Sequence, residues 1–345
     1  MKAVTLFGVH DLRVVDRAQP EPGAGDVLVR MGAGGICGSD MSYWSKGRVG
    51  DFAVREPLVL GHEIAGTVER TGTGVTSIAP GARVAIDPSR PCLHCDTCRA
   101  GRSNLCRHMR FFGSAALFPH VQGAFAETFV CRADQCHAIP DAMPFRVAAL
   151  AEPLAVALHG LRRAGDVFGK SVIVTGAGPI GMLTVLALRH AGAACVVVTD
   201  VVDAPLRLAL ASGADEAINV ATEPGRLAAY EEEKGRFDLG VEATGAPSAL
   251  VSLFRLVRPG GRIVQVGILP PGEVGVPVNL LVTKEIDYVG AFRFSAEFAA
   301  AVALLASGRI DFAPMLSADL PAAQAAEAFA LAADRTRSIK VHLHF

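Results

Sequence analysis

The sequence predicts an α/β chain built from two different parts, and three observations carry that reading. Residues 1–140 read as short β segments separated by glycine turns. From about Val147 the chain turns rich in Ala, Leu and Val, and short apolar strands alternate with helical stretches. That alternation is the signature of a doubly wound parallel sheet. A glycine fingerprint, Gly176-x-Gly178-x-x-Gly181, follows one such strand and opens one such helix. With 345 residues the chain is long enough for two domains and a sizeable core.

In the first part, "VLVRM" follows the turn "PGAGD", and "IAGTVERTGTG", "PGARVAI" and "AFAETFVC" repeat the strand-and-turn character. "IPDAMPF" (Ile139–Phe145) carries two prolines and ends the region. In the second part "SVIVTGAG" reads as a strand, "PIGMLTVLALRHAG" as a helix, "ACVVVTD" as a strand and "APLRLALASG" as a helix. "FDLGVEATG", "GRIVQVGI" and "EIDYVGAF" continue as strands. "SAEFAAAVALLASG" is a further helix, and "IKVHLHF" alternates like a strand. No repeat of 20–50 residues and no low-complexity tract interrupts the pattern.

Net charge is −1 with 19% charged residues, and no long run of one sign occurs. Composition therefore gives no support for a nucleic-acid or membrane-surface partner. The N-terminal stretch "MKAVTLFGVHDLRVVD" lacks the long apolar segment and cleavage site of a signal peptide. No apolar run reaches the ~18 residues of a membrane span. A cytoplasmic location is expected, and in that reducing compartment clustered cysteines are metal ligands more often than disulfides.

Four of the eight cysteines lie in "CLHCDTCRAGRSNLC": Cys92, Cys95, Cys98 and Cys106. A redox C-x2-C pair would leave Cys98 and Cys106 unexplained. Four thiolates close a tetrahedron around a structural zinc and leave no position for substrate. The lobe orders a polar loop, so the chemistry belongs elsewhere. His94, inside the lobe, reads as a surface residue, and Cys131, Cys136 and Cys195 lack ligand spacing and read as buried thiols.

At the fingerprint, Gly176 allows a tight turn, Gly178 a close approach to pyrophosphate, and Gly181 close packing of helix on strand. Pro179 and Ile180 open the helix whose positive end faces the phosphates. Asp200 ends the next strand, roughly 20 residues on, where a carboxylate binds the adenosine ribose hydroxyls. It favours NAD, because a 2′-phosphate is repelled there. Arg207 softens that preference and keeps NADP in play. Val266 and Gly267, at the end of "GRIVQVGI", complete the expected cofactor site.

Three further stretches each offer a ligand beside a turn: Cys37 in "GGICGSD", His62 with Glu63 in "VLGHEIAG", and Glu152 in "LAEPLAVALHG". Each alone has an ordinary structural explanation. Together, beside a dinucleotide fold, they suggest a second metal site.

These motifs, in the order "GGICGSD", "GHEIAGTV", the four-cysteine lobe, "AEPLAVALHG" and "VTGAGPIG", resemble the zinc-containing medium-chain dehydrogenase family over essentially the whole chain. The resemblance implies a GroES-like catalytic domain, residues 1–145 plus 292–345, interrupted by a Rossmann domain, 146–291, with the cofactor in the cleft. It implies Cys37, His62 and Glu152 as catalytic zinc ligands, and Glu152 in place of a cysteine is similar to the polyol (sorbitol) branch. Glu63 resembles a neighbouring carboxylate that holds the metal's water or ligates during exchange. Ser39 resembles the first hydroxyl of a proton relay, and Asp40 a structural partner. The physical account agrees: zinc lowers the pKa of a bound oxygen to about 7, which makes hydride departure from an alcohol feasible. Positioning of the carbinol carbon at the nicotinamide is the task of the cleft.

For the substrate, "ICGSDMSYWSKGRVGDFAVREPLVLGHE" resembles sorbitol dehydrogenases. "MRFFGSAALFPHVQGAF", "GAFRFSAEF" and "PMLSADLP" resemble the bacterial dehydrogenases that interconvert L-idonate and 5-keto-D-gluconate with NAD(P). The expectation leans to L-idonate, and a sugar acid needs a cation for its carboxylate. Arg110, Arg293 and Arg48 are the candidates, since a guanidinium suits a carboxylate bidentately. Tyr43 and Phe112 are candidate pocket walls. His159 reads as a hydrogen-bonded packing histidine. The alternatives are the same chemistry on a neutral polyol such as sorbitol, xylitol or threitol, and a non-catalytic nucleotide-binding protein. The presence of Cys37, His62, Glu152 and Ser39 argues against the last. The resemblance also implies a homodimer or homotetramer, with "EIDYVGAF" as one edge for contact.

Overall fold

A computed structural model describes all 345 residues. The chain forms two compact units: Met1–Glu152 with Phe298–Asp334 and Lys340–Phe345, and Pro153–Glu297 with Arg335–Ile339. The sequence boundaries, at 145/146 and 291/292, fall earlier than the observed ones. The change of composition marks where helix formation begins, but the helix Ala151–Ala164 runs through the boundary. Residues 290–297 of "GAFRFSAEF" stay with the second unit, where Glu297 pairs with His159 and Arg162, and Gly290 O accepts from Arg163. No helix is long and apolar enough to cross a membrane.

The first unit is organised by the ten-residue strand Asp26–Gly35. Its flanks are Glu63–Thr71 on one side and Lys340–His344 and Thr128–Arg132 on the other, all antiparallel to it. Arg83–Ile86, Cys136–Ala138 and Leu316–Pro321 extend the sheet to seven strands. Val27, Val29, Ile64, Val84, Phe125, Phe329 and Val341 fill the core against it. The register sets Gly35 opposite Glu63. A Cβ on Gly35 would overlap the Glu63 carboxylate, so only glycine lets that side chain lie across the strand. Where the sequence suggested only a turn after "GGIC", Cys37 is the extended N-cap of a helix, Gly38–Lys46, which ends at Gly47 in the left-handed region (φ 67°).

The second unit is a six-stranded, fully parallel sheet. The spatial order is Glu216–Asn219, Cys195–Asp200, Ser171–Thr175, Phe237–Glu242, Val257–Gln265, Asp287–Gly290. Numbered along the chain this is 3-2-1-4-5-6, the doubly wound dinucleotide-binding order. Val172, Ile173 and Val174, and Val196, Val197 and Val198, are all buried. Continuous apolar runs of this kind mark strands covered on both faces. The order reverses between Ser171–Thr175 and Phe237–Glu242, which opens a crevice at their C-terminal ends.

Candidate active site and metal centres

Three elements of the first unit converge on one buried cluster. Cys37 stands at the start of its helix, and its N–H donates to Asp40 Oδ2 (3.0 Å). Asp40 Oδ1 accepts from Gly61 N (3.3 Å) and lies 3.7 Å from His62 Nδ1. Asp40 thus ties the backbone that carries Cys37 to the turn that carries His62. Gly61 takes φ +94° in that turn, with the Phe125 ring where a Cβ would be. Glu63 begins the next strand. The ligand atoms of Cys37, His62 and Glu63 all lie within 4.8 Å of one another.

Lys340, which the sequence reading did not single out, completes the cluster. Its Nζ donates to Glu63 Oε1 (2.7 Å) and Oε2 (2.5 Å) and to Ile36 O (3.1 Å). The available signal was a lysine inside an otherwise apolar strand, "IKVHLHF", where Lys340 to Leu343 are all buried.

Glu152 arrives separately, in the first turn of Ala151–Ala164, and is buried. Burial holds its carboxyl well above the usual range; His62 opposes that shift, while Cys37 and Glu63 add to it. It therefore feels the cluster, but the carboxylate within the tight group is Glu63, where the resemblance implied Glu152. The reason is local: Glu63 is adjacent to His62 and is fixed by Gly35 and Lys340.

The donor set fits a divalent cation. Cys37, Asp40, Glu63 and Glu152 are four acids facing one ammonium. Burial, then Glu63, pushes the Cys37 thiol up to about 12, and burial raises Asp40. A dication reverses that balance, and Cys, His and carboxylate ligands suit zinc. His62 Nδ1 is buried without a hydrogen-bond partner, and Nε2 is 3.5 Å from the Ser39 hydroxyl.

The four lobe cysteines also come together, with all Sγ atoms within 4.8 Å. Backbone N–H groups of Cys92 (3.2 Å) and His108 (3.3 Å) donate to Cys106 Sγ. The Thr97 hydroxyl and neighbouring backbone N–H groups bring the Cys95 thiol down to about 5, while burial and the neighbouring thiols Cys95 and Cys106 push Cys98 up to about 12. Donors aimed at sulfur stabilise thiolates, the form that binds metal. His94 is exposed and bonds only within the lobe, to Cys92 O (2.7 Å), and stacks on His108. Cys131 and Cys136, remote in purpose from these sites, have their sulfurs 3.5 Å apart; Cys131 is buried, while Cys136 and Cys195 are half-buried.

In the second unit the glycine fingerprint has the cradle geometry. Gly176 takes φ +96°, a Cβ on Gly181 would overlap Gly176 O, and a Cβ on Gly178 would meet open space. Gly178 is the N-cap of Pro179–His190, with Pro179 at its first position, so its leading N–H groups are unspent. Ile180 follows, half-buried. Glu242, at the end of the neighbouring strand, was not foreseen. It accepts from Thr244 N (2.7 Å), Gly245 N (3.0 Å) and Gln265 Nε2 (2.6 Å), while its own carbonyl accepts from Val266 N and Gly267 N. It organises the loop beside the crevice. Asp200 is buried at its strand end, and Arg207 is exposed on the helix Asp203–Ala211.

The expected substrate residues scatter. Tyr43 is 3% exposed in the core, its hydroxyl accepting from Ala115 N (3.1 Å). Phe111, not Phe112, faces His62, with ring centres 5.5 Å apart. Side chains alternate along a strand, so Arg110 and Phe112 line a different recess with Arg90 and Gln122, which contains none of Cys37, His62, Glu63 or Glu152. Arg48 is engaged with Gly50 O and Asp51. Arg293 takes φ 53° and lies over the Phe292 ring. His159 is buried and bonds Glu297 (3.1 Å), a packing role.

Comparison with known proteins agrees with this geometry. Residues 23–141 match the alcohol dehydrogenase GroES-like domain, and residues 179–307 match the zinc-binding dehydrogenase family. The chain is 42% identical to L-idonate 5-dehydrogenase (NAD(P)(+)) of Escherichia coli K12, over 92% of this chain and 91% of that protein. It is 41% identical to sorbitol dehydrogenase of Gallus gallus, over 95% and 92%. The crystal structure of L-idonate 5-dehydrogenase from E. coli K-12 superposes with a TM-score of 0.95 at 39% identity, covering 100% of this chain and 98% of that one. That of 2R,3R-butanediol dehydrogenase from Bacillus subtilis does so at 0.89 and 26%, covering 100% and 99%. The chain belongs to the zinc-binding, GroES-like alcohol and polyol dehydrogenase family.

Proposed function

We propose that this protein oxidises carbon 5 of L-idonate to the ketone of 5-keto-D-gluconate with NAD(P), reversibly, at the Cys37–His62–Glu63–Glu152 cluster. The observation that carries the reading is the group of four acids, one imidazole and one ammonium, all buried except the half-buried Cys37, an arrangement that makes sense around a dication. Cys37, His62 and a carboxylate hold the metal there, and Cys92, Cys95, Cys98 and Cys106 hold a second, structural one. Bound zinc supplies Lewis acidity that lets a substrate hydroxyl lose its proton near neutral pH. Ser39, half-buried and 3.5 Å from His62, takes that proton toward solvent. Asp40 keeps Cys37 and His62 in register, and Lys340 holds the Glu63 carboxylate in place through both of its oxygens. Gly176, Gly178 and Gly181 would hold the pyrophosphate of a dinucleotide, which would supply the hydride acceptor. The products are a ketone, the reduced coenzyme and one proton.

L-idonate is favoured by full-length similarity to a protein of that name in both sequence and fold. A neutral polyol is the second reading, favoured by a nearly equal identity to sorbitol dehydrogenase and by the recess that holds Arg110 apart from the cluster. A cytoplasmic setting belongs to the proposal, since it keeps the lobe cysteines reduced. The test is reduced-coenzyme formation from L-idonate and from sorbitol, side by side, with metal content per chain. L-idonate is expected to show the higher kcat/KM by about tenfold or more, the effect of one charge-assisted contact. Sorbitol winning removes the sugar-acid reading and keeps the mechanism. A metal-loaded protein inert toward both overturns the assignment.

A further inference from the structure

Asp200 is buried, and its carboxylate is fully engaged. Oδ1 accepts the N–H groups of Val201 (2.7 Å) and Val202 (3.1 Å). Oδ2 accepts the N–H of Ala177 (2.7 Å), inside the glycine fingerprint, and Nη2 of Arg335 (2.5 Å). A carboxylate offers about four lone-pair positions, so none is left for a ribose hydroxyl. Three of the donors are backbone amides at fixed places. The fourth is a guanidinium whose side chain is 44% exposed, against 2% for Asp200, and it alone is free to swing.

We propose that Arg335 decides coenzyme choice: paired with Asp200, it cancels the carboxylate's charge and supplies the counter-charge for an adenosine 2′-phosphate, so the chain accepts NADP as well as NAD. The proposal rests on the dinucleotide reading above. A bare carboxylate at this strand end selects a 2′-hydroxyl and repels a 2′-phosphate. With Arg335 in place the local charge is neutral, and most of the guanidinium's five N–H groups remain for a phosphate. A ribose diol, by contrast, must displace Arg335 before it donates to Oδ2. Both coenzymes are then accommodated by one swing of one side chain. Arg207, one turn into the helix after Asp200, is exposed and is not among the donors to the carboxylate. Arg335 comes from a segment 135 residues farther along the chain, within the same compact unit. No local coenzyme motif points to it.

The test is equilibrium binding, which needs no hydride chemistry. Dissociation constants are measured for NADH and NADPH by fluorescence titration, and for 5′-AMP and 2′,5′-ADP by calorimetry. The unsubstituted protein is expected to bind both dinucleotides, with constants within about tenfold of each other. Arg335→Ala is expected to raise the NADPH-to-NADH ratio of constants about tenfold or more, the size of one lost charge-assisted contact. The 2′,5′-ADP-to-5′-AMP ratio should follow it. Arg335→Lys, which keeps the charge and loses the fork, should fall between. The ratio guards against general loosening, which would weaken both ligands alike. An unchanged ratio in Arg335→Ala overturns the proposal, as does binding of NADH without measurable NADPH; in both cases the dinucleotide site itself stands. Binding of neither coenzyme overturns the site and the proposal together.

Discussion

Lys340 Nζ lies 2.7 and 2.5 Å from the two carboxylate oxygens of Glu63, and both side chains are 1% exposed. An ion pair this dry is costly to break from one side, because the remaining charge has nowhere to go. Lys340→Met is expected to destabilise the metal-free protein by about 3–5 kcal/mol, read as a lower urea midpoint. Adding Glu63→Gln to that variant should restore more than half of the loss. A single variant that melts like the parent would show that the pair carries no stability.

Glu63 and Glu152 are separable by experiment. Cys37→Ala should cut turnover by more than about 100-fold and drop zinc from about two ions per chain to about one, whereas Glu152→Ala should cut turnover by a similar factor with the metal kept. Folding and NADH binding should stay close to the parent's. Glu63→Gln should also lower the melting temperature, because it strands Lys340. Normal activity in Cys37→Ala sinks the catalytic metal site.

Cys95→Ala addresses the lobe. One metal ion per chain should again be lost, now with a fall in melting temperature of about 5 °C or more, since a structural metal contributes directly to folding. An unchanged melt counts against a structural zinc there.

Asp87 gives a pH signature. Burial pushes its carboxyl up to about 6, opposed by its hydrogen bond from Ser89 N (2.8 Å). Its unfolded value is about 3.9. The folded state therefore holds the proton more tightly. The contribution to stability is complete below about pH 4 and is lost as pH rises through about 6. Asp87→Asn keeps an acceptor for Ser89 without the charge. It should stabilise the protein by about 1–3 kcal/mol at pH 7.5, with the advantage gone near pH 4. Parallel thermal melts at the two pH values check this; a constant offset excludes the titration.

The parts of the molecule legible in its sequence are those written locally. The second unit announces itself by apolar runs, by the fingerprint at Gly176–Gly181 and by Asp200 at its fixed distance. The lobe announces itself by the spacing from Cys92 to Cys106. Cys37, His62 and Glu63 were found because each lies in a short motif, and the sheet register then brings two separated motifs together. Lys340 and Arg335 were missed because their meaning depends on partners 277 and 135 residues away, which no local pattern encodes. Tyr43, Phe112 and Arg110 were proposed as pocket residues from resemblance alone. Strand alternation turns Phe111 to His62 instead, and the Tyr43 hydroxyl is occupied by Ala115 N.

Lys340 follows its partner Glu63 by 277 residues. At synthesis rates of roughly 5–20 residues per second, the ribosome needs about 15–55 s to cover that distance. For that interval the growing chain carries Cys37, Asp40, His62 and Glu63 without the ammonium that later neutralises them. The socket around Glu63 is therefore finished only by nearly the last residues of the chain to be made.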